Sequence, residues 1–247
     1  TMIDIIIPAC KSLDAIQLLI AEINNTATGD YRVIPISSNS SAAVNRNKGL
    51  EKSNASYIIM VDDDVSGFEK GWNEKLVKRL RDNIMVNVVS ARLMKPNKTP
   101  GPMCHATYEP NVEMQAITVV PTACVAFRKS SIRFDETFVG SGFEDNDWCN
   151  QLKNKCLIDN TVKVVHKNEA KNQSGEIWEK NKKYYELKWS DTFKFVAIYK
   201  TLLGSEWLES SLNSIYDFVD KIIVVHSVNL WGQTFSHENN CIDVVNV

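Results

Sequence analysis

The chain has 247 residues, enough for one large domain or for one domain with a smaller unit beside it. Hydrophobic residues make up 44% and charged residues 23%, an ordinary globular balance. A formal net charge of −2 gives no electrostatic reason to expect nucleic acid or an anionic membrane as a partner, and no apolar run reaches the roughly 20 residues that span a bilayer. The six cysteines, at 10, 104, 124, 149, 156 and 241, form no CxxC pair, which argues against a zinc cluster or a redox dithiol. The opening "TMIDIIIPAC" lacks the basic region and the longer apolar core of a signal peptide. The expectation is a cytoplasmic protein whose thiols are reduced and act as small apolar residues.

In chain order, "IDIIIP" (Ile3 to Pro8) predicts a short buried strand ended by proline, and Ile16, Leu19, Ile20 and Ile23 predict a helix packed on a sheet. "YRVIPIS" predicts a second strand, a Ser/Asn-rich turn leads to a helix over Ala42 to Lys52, and "YIIMV" predicts the next strand. Trp72, Leu76 and Leu80 mark a further helix, and Ile84 to Leu93 a further strand. Residues 95–115 have no period and predict a long functional loop. Strand character resumes over Ala116 to Ile132, "GSGFEDNDWCNQLKNK" turns helical after its glycines, and "VKVVH" is a short strand ending on His166. Residues 167–192 predict a polar helix or linker. From Phe193 the pattern restarts: "FKFVAIYK" and "KIIVVHS" as strands, with Leu208, Leu212, Ile215 and Val219 as a helical stripe between them, and "CIDVVNV" as a third strand. Alternating strands and helices predict an α/β fold with a mainly parallel sheet, and the restart predicts a partial β-α-β repeat at the C-terminus.

Two acidic clusters stand out. Asp62, Asp63 and Asp64 follow a buried strand, at the carboxyl edge of the sheet where α/β proteins bind ligands. Alternation along an extended chain lets Asp62 and Asp64 converge while Asp63 points away, and a hard divalent cation would neutralise them. A solvated acidic turn is the plain alternative. In "GSGFEDNDW", Glu144, Asp145 and Asp147 occupy a predicted first helical turn, where the helix dipole alone favours carboxylates. His166, taken alone, reads as a capping or packing residue at a strand end.

Together and in order, these stretches resemble the nucleotide-sugar glycosyltransferases of the GT-A fold, close to the large family 2. "NRNKGLEKSNASYIIMVDDDV" is similar to that family's "ARNxG" helix and DxD strand, and "FEKGW" to the helix after it. "TACVAFRKSSI" resembles the strand before the acceptor region, "GSGFEDNDWCNQL" the GxGxED segment, and "VVHK" the strand whose histidine completes the metal site. The resemblance implies a GT-A domain over 1–190: Rossmann-like, with a mainly parallel mixed sheet flanked by helices. Residues 191–247 resemble the start of a second such domain, without a DxD.

The implied activity is metal-dependent transfer of a sugar from a nucleoside-diphosphate sugar, UDP-sugar first, to the hydroxyl of a carbohydrate or glycoconjugate acceptor, with inversion. Asp145 would be the general base and Glu144 would orient acceptor hydroxyls. Asp64 and His166 would hold Mn²⁺ or Mg²⁺. Pro8, Ala9, Cys10, Asn39, Arg46, Asp62 and Asp63 would face the donor. The family's acidic base-binding turn here reads "SSNSS", so any contact to uracil would fall to a residue such as Asn39. A nucleotidyltransferase would share the architecture, but "PACKSLDA" lacks a glycine- and basic-rich phosphate loop. A degenerate sugar- or nucleotide-binding module is the other alternative.

Overall fold

The computed structural model describes residues 2–104, 106–109, 111–140, 142–167 and 175–189, together with the backbone of three strands beyond them. The chain divides into two compact units, Thr1–Tyr185 and Glu186–Val247.

The first unit runs β1 (Ile3–Ala9), a 3-10 turn (Asp14–Ile16), α1 (Gln17–Thr26), β2 (Tyr31–Ser37), α2 (Ala42–Lys52), β3 (Tyr57–Val61) and β4 (Val65–Ser66). It continues through α3 (Trp72–Asp82), β5 (Val88–Met94), β6 (Met114–Ile117), β7 (Cys124–Arg128), α4 (Glu144–Gln151) and β8 (Cys156–His166). The division between the units falls within α5 (Glu176–Trp189).

The main sheet has the order β2-β1-β3-β7-β5-β8-β4, with β6 added along β8. β2, β1 and β3 are parallel, β7 runs against both β3 and β5, and β5 and β8 are parallel. This is the mixed, mainly parallel α/β sheet that the alternating sequence predicts. All seven residues of β1 are buried, as its unbroken β-branched run requires. α2 packs on β1 and β2, while α3 packs on β7 and β5. Gly49 lets α2 come close: a Cβ there would stand 2.3 Å from Ile6 Cγ2.

Three elements depart from expectation. The strand expected from Ile84 begins at Val88, because Asn83 Oδ1 accepts from the Met85 N–H in a local turn that leaves Ile84 exposed. The strand expected over Ala116 to Ile132 is two strands, β6 and β7, with Pro121 in the gap. β8 starts six residues before Val162, at Cys156, because its polar centre is a bulge and not a loop. There Asp159 is fully buried and accepts from Arg79 Nε at 2.8 Å.

In the second unit, β9 (Val196–Thr201) and β10 (Lys221–His226) are parallel and β11 (Ile242–Val245) runs antiparallel to β10. The helical stripe Leu208 to Val219 lies outside the described residues.

Candidate active site

β3 does not simply stop at its aspartates. The Asp62 N–H donates to Ala123 O (2.8 Å), extending the β7 ladder by one residue, and the Val65 N–H then donates back to Asp62 O (3.2 Å). This tight turn launches β4, which pairs antiparallel with the end of β8, Val65 opposite His166. The Lys167 N–H donates to Asp64 O, fastening the junction. Register therefore brings His166 to the aspartates: its Nε2 lies 3.1 Å from Asp64 Oδ1. Asp62, Asp64 and His166 each offer a ligand atom, all within 4.8 Å of one another. Burial opposes charge on His166, but the hydrogen bond and the charge of Asp64 outweigh it and raise its pKa.

Three consecutive residues of α2 point in three directions, about 100° apart. Asn45 is fully buried and its amide donates to Ala9 O (3.2 Å) and Ser38 O (3.0 Å), tying the helix to the end of β1. Asn47 exchanges hydrogen bonds with the backbone of Phe134 at 2.8 and 2.9 Å. Between them the buried Arg46 reaches Asp62 and Glu144, each at 3.2 Å, and Asp145 at 3.6 Å. Its guanidinium also sits over the Phe134 ring, 5.2 Å from the centroid.

α4 supplies the second acidic cluster. Phe143, in the left-handed conformation, leads into it (φ 70°), and Gly142 before it has φ 114°. The Gly142 N–H donates to Glu144 Oε2 at 2.6 Å. Burial first, and then the neighbouring charge of Asp145, push the Glu144 carboxyl up to about 7. Asp145 accepts from the Thr122 hydroxyl (2.5 Å) and from the Thr122 N–H (3.2 Å), one on each oxygen, which fixes the plane of its carboxylate. Burial likewise raises Asp62, against the pull of Arg46.

Asp62, Asp64, Glu144 and Asp145 thus share one guanidinium and one imidazole. The surplus of negative charge, and the mixed carboxylate and imidazole donor set, fit a divalent cation.

On the β1 side, the side chains of Pro8 and Ala9 are buried, while Cys10 and Asn39 are exposed. Asp63 is not part of the Asp62/Asp64/His166 cluster and pairs with Lys11 at 3.6 Å. Trp72 and Trp148 are core residues. Strand alternation put Asp62 beside Asp64 at one cation site, whereas the family resemblance gave Asp62 to the donor; sequence reasoning gave no role to Thr122, Asn45 or Lys11. A threonine held against a carboxylate 23 residues later leaves no sequence signal.

The glycosyl transferase family 2 model matches residues 5–134, more than half of the chain. The chain belongs to glycosyl transferase family 2. The matched span carries the three aspartates and Arg46, whereas Glu144, Asp145 and His166 lie beyond it. No curated protein matches this family 2 chain. Among solved structures it is similar to GalNAc-T7, whose crystal structure holds UDP, GalNAc and Mn²⁺, at 11% identity and a TM-score of 0.57. That match covers 78% of this chain and 49% of GalNAc-T7, so the chain spans about half the length of that relative. A197 from STIV aligns at 15% identity and a TM-score of 0.49, over 67% of this chain and 85% of its own. The family 2 membership gives the protein a glycosyl transfer role, and the GalNAc-T7 likeness confirms the GT-A fold.

Proposed function

We propose that this family 2 transferase moves a sugar from a nucleoside-diphosphate sugar, UDP-sugar first, to an acceptor hydroxyl, with inversion at the anomeric carbon. The observation that carries this reading is the convergence of Asp64, His166 and Asp145 at one sheet edge, with Arg46 joining the two acidic clusters.

Asp64 and His166 would hold the divalent cation, with Asp62 beside them as a third ligand or as a contact to the ribose. The cation supplies Lewis acidity to the diphosphate leaving group. Asp145, its plane set by Thr122, takes the proton of the acceptor hydroxyl as the oxygen attacks the anomeric carbon and the bond to the diphosphate breaks. Glu144, with a pKa of about 7, is protonated in a large share of molecules near neutrality and can then donate to an acceptor oxygen. Arg46 keeps Asp145 and Asp62 apart in charge while leaving the cation position negative. Cys10, Asn39, Asp63 and the backbone of Pro8 and Ala9 form the donor side.

Residues 1–190 would act as the transferase domain, and residues 191–247 would be the start of a second domain of the same kind. The cytoplasm is the compartment that suits the free thiols of Cys10, Cys104, Cys124, Cys149 and Cys156.

Calorimetric titration of UDP and GDP with and without Mn²⁺ tests the donor assignment. Metal-enhanced binding of UDP is expected, and its absence for both nucleotides would sink the reading. Asp145→Asn should bind UDP as the parent does and lose transfer by about 10²–10⁴-fold. Undiminished turnover in that variant would remove Asp145 as the base.

A further inference from the structure

Beyond His166, away from β1, the sheet edge continues into a second concavity. The end of β5 (Leu93, Met94, Lys95), the loop after it and the pair His166–Lys167 enclose a cleft of about 430 Å³. This is within the size range of small-molecule sites, roughly 300–1,000 Å³. In the sheet β5 and β8 are neighbours, and both lie farther from β1 than β3 does. His166 belongs to both the metal cluster and the cleft, since its Nε2 meets Asp64 while the residue also lines the cleft. A molecule seated there abuts the metal cluster at His166.

The lining has a definite chemistry. Leu93, Met94, Pro96 and Pro102 make an apolar wall, Lys95 and Lys167 are cations, and no carboxylate lines it among the described residues. Both lysines are exposed, and neither has an ion pair among the described residues. Their backbones are held in place. The Lys95 N–H donates to Thr99 O and the Gly101 N–H to Leu93 O, folding the loop back on β5, while the Lys167 N–H is bound to Asp64 O. Two cations beside an apolar wall, with no acid among the described lining residues, complement an anion attached to an apolar body.

We propose that this cleft seats the acceptor and selects acceptors that carry an anionic group, phosphate or carboxylate, next to an apolar face. This rests on the transferase reading for the word acceptor, but the anion site stands on its own residues.

The test uses the full chain with Mn²⁺ and UDP present, titrated with octyl phosphate, glucose 6-phosphate and octyl glucoside. Octyl phosphate should bind about tenfold more tightly than octyl glucoside, and Lys95→Gln with Lys167→Gln should erase that difference while UDP affinity with Mn²⁺ reports an intact fold. Glucose 6-phosphate binding as well as octyl phosphate assigns the anion to a sugar acid or sugar phosphate, and its failure to bind assigns it to a lipid-like phosphate. Equal binding of octyl glucoside, or an anion affinity untouched by the double substitution, overturns the proposal. Lysine-dependent binding of octyl phosphate by a chain that does not bind UDP with Mn²⁺ would overturn the transferase reading and leave the anion site in place.

Discussion

With its guanidinium 3.2 Å from Asp62 and from Glu144 and 3.6 Å from Asp145, Arg46 faces three carboxylates and can neutralise the charge of one. Removing it by Arg46→Leu leaves buried acids without a counter-charge, which costs about 3–5 kcal/mol. That cost should be largest at pH 8 and smaller at pH 6, where Glu144 can take a proton, and chemical denaturation at the two pH values measures it. Glu144 itself gives a signed prediction. Its pKa is raised to about 7 in the folded chain, so the folded state holds a proton that the unfolded chain releases near pH 4.3. Folding stability should therefore fall as pH rises from about 4.5 to 7, and Glu144→Gln should remove that slope. Melting curves in a metal chelator that fall in parallel for both proteins would contradict the assignment. At this scale the sequence picks out the two acidic clusters but not how they are held. "NRN" resembles a family motif, yet the partition of Asn45, Arg46 and Asn47 among three anchors appears only when α2 is laid against β1 and Phe134.

At the scale of elements, α5 holds the acid loop in place. Asn181 accepts from the Val139 N–H (3.3 Å) and donates to Val139 O (2.9 Å) and Gly142 O (3.1 Å), while Tyr184 donates to Asp135 and Asn150 to the Tyr185 hydroxyl. Phe143 packs between Trp178 and Tyr185, at 5.1 and 5.4 Å. A Cβ on Gly142 would stand 2.9 Å from Trp178 Cδ1, at a φ of 114° that a side chain strains. Gly142→Ala should thus shift α5, cost about 1–3 kcal/mol and lower kcat, with UDP affinity kept. An unchanged kcat would show that the clamp does not position Glu144 and Asp145. Sequence periodicity finds α2 and β3 because aliphatic residues carry their patterns. It reads residues 167–192 only as polar helix or linker, because the packed face of α5 is built from the buried Asn181 and the half-buried Trp178, Tyr184 and Tyr185, in which amides and rings replace an aliphatic stripe. β8 is half hidden for a similar reason: Asp159 and Asn160 interrupt its apolar run, and only Arg79 explains why an acid is buried there.

For the whole molecule, a cation that binds the folded chain and not the unfolded one must raise the melting temperature. Excess Mn²⁺ should stabilise the protein by about 2–3 kcal/mol at a hundred times its dissociation constant, and Asp64→Asn should abolish the shift. Because Asp64 raises the pKa of His166, which must be neutral to ligate, the gain should shrink as pH falls through that raised value. A gain independent of pH in thermal melts would exclude His166 as a ligand. The α/β class is legible from the alternation of the first half. The antiparallel insertion of β7 between β3 and β5 is not, since strand order depends on pairing across long stretches of chain. The same topology governs the order of assembly during synthesis. Arg46 and Glu144 are 98 residues apart, and His166 comes later still. At about 5–20 residues per second, a ribosome takes roughly 5–20 s to cover that interval. Within it, from the synthesis of Asp64 until that of β7, the emerging chain holds Arg46 and its aspartates beside β3, an apolar strand whose antiparallel neighbour has not been made. The site is thus among the last features to be completed, and an open sheet edge is exposed to chaperones and to other nascent chains until β7 arrives.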